Sequence, residues 1–154
     1  MASERIELLV RMAAFGGLKT EALELVLDQS KDRNVPEGNF FFREGDRAES
    51  LFVLEQGSVT VFRDWQGDLV ELGKLYTGDC FGEMSLIDFQ ARSASVQATT
   101  DCEAIEIPSQ VLRALYQHDL EQYAIIMMNL GREVSRRLRI ADQQLFELQQ
   151  TVGL

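Results

Sequence analysis

One histidine, His118, and two cysteines, Cys80 and Cys102, are all that this sequence offers to a soft metal ion. Protein zinc sites draw on clustered His and Cys ligands, so no metal site and no metal-dependent barrel enzyme is expected. No nucleophile stands beside a base of the kind covalent catalysis requires, and no cofactor motif is present; the chain is not expected to be an enzyme. The cysteines fit neither paired-thiol nor zinc spacing and are expected to be reduced packing residues of a cytoplasmic protein. No apolar run reaches the roughly 18 residues of a membrane span, and residues 1–14 mix charges into their apolar positions where a signal peptide would not. Cations are also scarce: 15 Lys and Arg face 25 Asp and Glu, for a formal charge of −10. Duplex affinity rests on cations that displace counterions, so neither nucleic acid nor an acidic membrane surface is expected as a partner.

Proline occurs only at positions 36 and 108, and these two residues separate stretches of different character. With 154 residues, 45% of them hydrophobic, the chain can bury one sizeable core and is expected to be a single domain, residues 1–154. Residues 1–35 read as a helical lead. Ile6, Leu8, Leu9 and Met12, then Leu23, Leu25, Val26 and Leu27, fall at helical spacings, with a break at Gly16-Gly17 and Thr20 as the expected N-cap of the second helix. Residues 36–108 change punctuation. Gly45, Gly57, Gly67 and Gly78 recur every ten to twelve residues, separating short runs at 51–54, 58–62, 69–72, 94–98 and 104–107. Such spacing predicts an antiparallel β-roll or jelly-roll barrel, with Trp65-Gln66-Gly67-Asp68 as a hairpin turn.

Residues 109–154 are again helical. Ser109 is the expected cap of a short helix ending near Gln117, with His118 at its terminus. Asp119 followed by Gln122 forms a capping-box pattern for a second helix that, if unbroken to Gln150, is roughly 48 Å long. Met127, Leu130, Val134, Leu138, Ala141, Leu145 and Leu148 repeat at intervals of three and four. The first two turns of that seam are expected to pack on the chain's own barrel; beyond Val134 the seam suits a second copy of the helix and predicts a homodimer. Gly131 within it predicts close packing or a bend.

Between Leu75 and Leu112 acids recur at 79, 83, 88, 101, 103 and 106, yet Arg92 is the only cation. Phe81-Gly82-Glu83-Met84-Ser85 reads as a strand leaving through a glycine into one turn of helix, with Leu86 and Ile87 as its buried side. The Met84 and Ser85 amides at the start of that turn attract phosphate, and Gly82 permits close backbone approach. Arg92 can hold two phosphate oxygens at once, and Ser93 adds a hydroxyl. Glu83 would repel a phosphate, so its role is to accept from a hydroxyl of the same ligand; the two groups together describe a nucleotide. The competing reading is a surface bridge from Arg92 to Asp88 or Glu83, worth about 0–1 kcal/mol. Arg132, Arg136, Arg137 and Arg139 read as helix-face residues that answer an acidic body.

The stretch "FGEMSLIDFQARSASV" resembles the phosphate-binding cassette of the cyclic nucleotide-binding domain family, and "EGDRAESLFVLEQGSVTVF", Glu44 to Phe62, resembles that family's preceding strands. "GREVSRRLR", Gly131 to Arg139, is similar to the long C-terminal helix of the catabolite-activator type. The resemblance covers about residues 36–140. It implies a ligand site at 81–85 and 92–94, that is Phe81, Gly82, Glu83, Met84, Ser85, Arg92, Ser93 and Ala94. Glu83 and Gly82 would serve the ribose 2′-hydroxyl, and Ser85, Arg92 and the Ser93 region the cyclic phosphate. The ligand would be cAMP in preference to cGMP. Where the family places base-contacting hydroxyls this chain has Ala141 and Asp142; Asp142 could accept from a guanine edge or be a solvated helix residue. A transcription factor of this type would continue into a DNA-binding module, whereas the sequence stops at Leu154. The expectation is therefore a regulatory sensor acting on an unidentified downstream protein, with a ligand-free interaction scaffold as the alternative.

Overall fold

The structure is a computed structural model and describes residues 2–153; Met1 and Leu154 of the expected single unit lie outside the described residues. Two lead helices, α1 (Ala2–Leu9) and α2 (Thr20–Gln29), precede eight strands. The strands are β1 (Lys31–Val35), β2 (Phe40–Phe42), β3 (Ser50–Gln56), β4 (Ser58–Trp65), β5 (Asp68–Tyr76), β6 (Cys80–Phe81), β7 (Ser95–Ala98) and β8 (Cys102–Pro108). Helix α3 (Glu83–Asp88) interrupts the strands after β6, and α4 (Ser109–His118) and α5 (Leu120–Thr151) follow them. Among the described residues the strands form two antiparallel four-stranded sheets, ordered β1-β8-β3-β6 and β2-β7-β4-β5. The architecture is the expected mainly-β roll with flanking helices. It is not a closed barrel: the two sheets face one another as separate layers.

Strand β3 shows why the core has two compartments. Successive side chains in a strand point to opposite faces. Phe52 and Leu54 accordingly enter a cluster between the sheets with Phe41, Val59, Phe81 and Val96. Leu51 and Val53 face outward, where Phe15, Leu23, Val26, Leu115 and Leu130 of the helical elements cover them. Residues 50–54 are therefore buried on both faces. Ile105 and Ile107 of β8 join the helical cluster while Cys102 and Ala104 join the inner one. Both cysteines are free and buried.

The hairpin at 65–68 forms as expected: Gln66 (φ 52°) and Gly67 (φ 89°) are both left-handed, the requirement of the tight turn that matches strand twist. Gly57 is required for a second reason, since a Cβ there would sit 2.7 Å from the Asp101 carbonyl oxygen and 2.8 Å from Cys102 Sγ.

Several local expectations are corrected. Strand β1 lies within the segment read as helical lead. Its sequence KDRNV is mostly exposed and carries no alternating pattern, so pairing with β8 is what makes it a strand. Strand β2 is three residues long, too short for periodicity to register, whereas β6 ends at Phe81 where the strand leaving through Gly82 is expected. Thr20 and Ser109 are not caps: each is the first residue of its helix, preceded by extended Lys19 and Pro108. Asp119 does cap α5, accepting from the Gln122 amide at 3.3 Å. Gln122, 1% exposed, does not reach back to complete the box; its Oε1 accepts from the Lys19 amide at 2.8 Å and ties α5 to the lead. Asn129 makes the same kind of tie, donating to the Ala14 and Gly16 carbonyls at 3.1 and 2.9 Å. Gly131 is exposed with nothing within 4 Å of where a Cβ would stand, so close packing does not explain it.

Candidate functional site

Helix α3 is preceded by Gly82, whose φ of 84° turns the chain sharply out of β6. A Cβ at Gly82 would lie 2.6 Å from Arg92 Nη1 and 3.4 Å from the Ser50 carbonyl oxygen. The glycine thus serves both the turn and the approach of Arg92 to the backbone. The first turn of α3 buries Glu83 (3% exposed) and Ser85. Leu86 is half-buried, but Ile87 is exposed, which corrects the expected buried side of this helix. Phe81 fills the inner core at the end of β6, and Met84 points to solvent.

Arg92 is 5% exposed. Its backbone is pinned to the loop after β2: the Arg92 amide donates to the Asp46 carbonyl at 2.9 Å and its carbonyl accepts from the Gly45 amide at 2.8 Å. Nη1 donates to the Gly82 carbonyl at 3.0 Å and Nη2 to the Ser50 carbonyl at 2.7 Å. The guanidinium lies over the Phe42 ring, 4.0 Å from its centroid. The expected alternative, a surface bridge to Asp88 or Glu83, is not what the side chain makes. Burial pushes the Arg92 guanidinium below the usual arginine range, while Glu106, Asp46 and Glu83 pull it back; arginine stays charged in proteins regardless. Its Nε is buried without a partner. A buried donor left without an acceptor costs about 1–3 kcal/mol, so the cassette holds an arginine with donor capacity to spare.

Glu83 meets a residue that sequence reasoning placed elsewhere. Arg137 reaches from α5 to donate from Nη1 to Glu83 Oε1 at 2.8 Å and from Nη2 to the Cys80 carbonyl at 2.5 Å. Arg137 also lies 3.8 Å from Glu133 of its own helix, and its Nε, like that of Arg92, has no partner. Its sequence neighbourhood reads as that of a helix-face cation, and helical spacing gives no sign of a contact 54 residues away. Beside it, Cys80 is inert: burial, then the charge of Glu83, raises its thiol to about 12.

The remaining expected residues divide. Ser93 is exposed on a bend and Ala94 is half-buried, both adjoining Arg92. Asp142 is exposed on α5, five residues beyond Arg137 and roughly 140° further round the helix. It is not gathered with the cassette. A cavity of about 920 Å³ lies along the far side of α3, reaching Tyr116 of α4 and Tyr123 and Met127 of α5. It touches the cassette through Ser85, Leu86, Phe89, Gln90 and Ala91 and includes neither Glu83 nor Arg92.

The cyclic nucleotide-binding domain profile matches residues 32–119, from β1 through α4. This chain belongs to the cyclic nucleotide-binding domain family. It is 35% identical over 132 residues to the cyclic AMP receptor protein of Thermus thermophilus, covering 85% of this chain and 59% of that one. It is 34% identical to the cAMP-activated global transcriptional regulator Vfr of Pseudomonas aeruginosa, covering 84% and 61%. Among solved structures, the T. thermophilus catabolite activator protein superposes with a TM-score of 0.75 at 34% identity, over 88% of this chain and 62% of that one. A cyclic nucleotide-binding domain from Methylobacillus flagellatus reaches a TM-score of 0.82 at 22% identity, a likeness of fold. The chain spans about three fifths of the length of the curated relatives.

These relatives correct the expectation that nucleic acid has no part: their names identify transcriptional regulators. Net charge was the wrong guide. A total of −10 counts only these 154 residues, whereas duplex binding depends on where cations are placed, and the relatives extend well beyond the matched region. No described helix is long and apolar enough to cross a membrane.

Proposed function

We propose that this domain binds a 3′,5′-cyclic nucleotide at the cassette, cAMP in preference to cGMP, as a cytoplasmic regulatory sensor. The observation that carries the reading is buried Arg92, with an unpartnered Nε, beside buried Glu83 at a helix start. The phosphate would meet Arg92, the Ser85 amide and the Ser93 region, while Glu83 would accept from the ribose 2′-hydroxyl. The Gly82 backbone would join Glu83 on the ribose side. Arg137 would carry the signal. It already bridges α5 to Glu83, so a hydroxyl that competes for that carboxylate changes how α5 is held. A ligand shifts such an equilibrium only by binding one arrangement more tightly than the other, and the coupling is reciprocal. The outer half of α5 exposes Leu138, Leu145 and Leu148, which supports pairing with the same helix of a second copy. The output would then be control of transcription, as the relatives' names indicate for them.

Calorimetric titration of the native protein with cAMP and with cGMP is the direct test; absence of heat with either at millimolar concentration defeats the reading. One observation favours a ligand-free scaffold instead: Arg92 and Glu83 are already engaged, by two carbonyls and by Arg137. Mass spectrometry of ligand released from protein purified out of a cellular extract separates the two readings.

A further inference from the structure

A guanidinium offered to an anion must be held in its plane as well as along its edges. In Arg92 the edges are held by the Gly82 and Ser50 carbonyls, and what covers its face is Phe42 of β2. The ring centroid lies 4.0 Å from Cζ, with Phe52 farther off at 5.9 Å. Phe42 is placed there by an irregularity in its strand. Phe40 pairs with Gln97 and Phe42 with neighbouring Val96, so β2 carries one more residue than β7 across this interval. Such a bulge re-aims a side chain. Phe41 enters the inner core, while Phe42 rests half-buried against Phe52 and Phe81 at centroid distances of 5.9 and 6.1 Å. The aromatic floor is thus itself braced.

Glu106, Asp46 and Glu83 also attract the Arg92 charge. Two carbonyl bonds fix the two terminal nitrogens, but the plane could still tilt toward a carboxylate were nothing lying against it. A ring face attracts a cation electrostatically and accepts no competing hydrogen bond that would occupy its donors. We propose that Phe42 is the positioning residue for Arg92, holding the guanidinium in the plane from which it meets a phosphate. This rests on the cassette being a cyclic nucleotide site, and it concerns the stack rather than the ligand's identity.

The test has two arms, each on the native protein, Phe42→Leu and Phe42→Tyr. In ligand-free protein, the Arg92 side-chain Nε and Cζ resonances, assigned through Arg92→Lys, are expected to show an aromatic ring-current shift. That shift should vanish in Phe42→Leu and return in Phe42→Tyr. In cAMP titrations, Phe42→Leu should bind roughly three- to thirtyfold more weakly, the range spanned by exposed and desolvated cation–π contacts, and Phe42→Tyr should recover most of that loss. Thermal melts show whether each variant is folded, and the resonance comparison needs no ligand. If the Leu variant leaves the Arg92 signals where they are in the native protein, the proposal is overturned. It is equally overturned if Leu and Tyr variants bind cAMP alike, because apolar volume rather than a ring face would then be sufficient. If no nucleotide binds but the resonances behave as expected, the ligand reading fails and the positioning of Arg92 by Phe42 stands.

Discussion

Between Gly82 and Arg92 the chain draws the charges of the candidate site into the roll, whereas from residue 138 to residue 152 every residue of α5 and its end is exposed. The cassette is held by many independent groups: the Asp46 carbonyl and Gly45 amide on the Arg92 backbone, two carbonyls on its fork, and a ring on its face. Outer α5 is held to the roll by Arg137. Its inner half is anchored by buried Ile126, Asn129 and Leu130. A site built this way has a rigid half and a half that can be released, because local opening follows the regions with fewest buried contacts.

The contrast is broken most severely at Arg92. Arg92→Ala removes the only cation of the cassette, a loss of about 2–5 kcal/mol for a desolvated charge pair, or tens-fold and more in affinity for cAMP by calorimetry. An affinity within threefold of native would show that the phosphate is bound elsewhere. Next in size is Arg137→Met. It strands Glu83 as a buried carboxylate, and since the Arg137 side chain is 25% exposed the cost is expected at about 1–3 kcal/mol rather than that of a fully buried pair. Chemical denaturation measures the loss, and hydrogen exchange should quicken in α5 before it does in β3. Uniform exchange throughout would mean that Arg137 is not the tie.

Gly82→Ala sharpens the comparison from the rigid side. A left-handed φ of 84° and a Cβ 2.6 Å from Arg92 Nη1 should cost about 1–3 kcal/mol and weaken cAMP binding with it. Equal stability of the two proteins would contradict the tight approach described for this turn. The smallest effect belongs to outer α5. Leu145→Glu, at a position 55% exposed, should change unfolding of the isolated domain by less than about 0.5 kcal/mol. If the seam is an interface between copies, sedimentation at high micromolar concentration should nonetheless show dissociation. A native chain that is monomeric at that concentration removes the interface altogether.

Much of the fold was legible because its signals are local. Turn glycines at ten to twelve residue intervals marked the strands, and the apolar seam marked α5. What escaped was either short or nonlocal: β2 is three residues, and β1 becomes a strand only against β8. In the candidate site, Glu83, Ser85 and Arg92 were readable from one continuous stretch, since glycine, carboxylate and a lone arginine have chemistry that spacing preserves. Arg137, Ser50 and Phe42 were not, because nothing in their own neighbourhoods distinguishes them from a helix-face cation, a strand-edge serine and a core aromatic.

The sequence by itself determined that a β-roll lies between helices and that a strand leaves through Gly82 into a short helix. These follow from period, turn chemistry and side-chain type, all properties of neighbours along the chain. Only the tertiary structure decided that Glu83 is shared with α5, that Arg92 spends two donors on backbone carbonyls, and that Phe42 lies beneath its guanidinium. Those contacts join residues 42 to 54 positions apart, apart from the one between Arg92 and Gly82. They depend on how two sheets and a helix pack, and packing is a relation between surfaces that no single segment encodes.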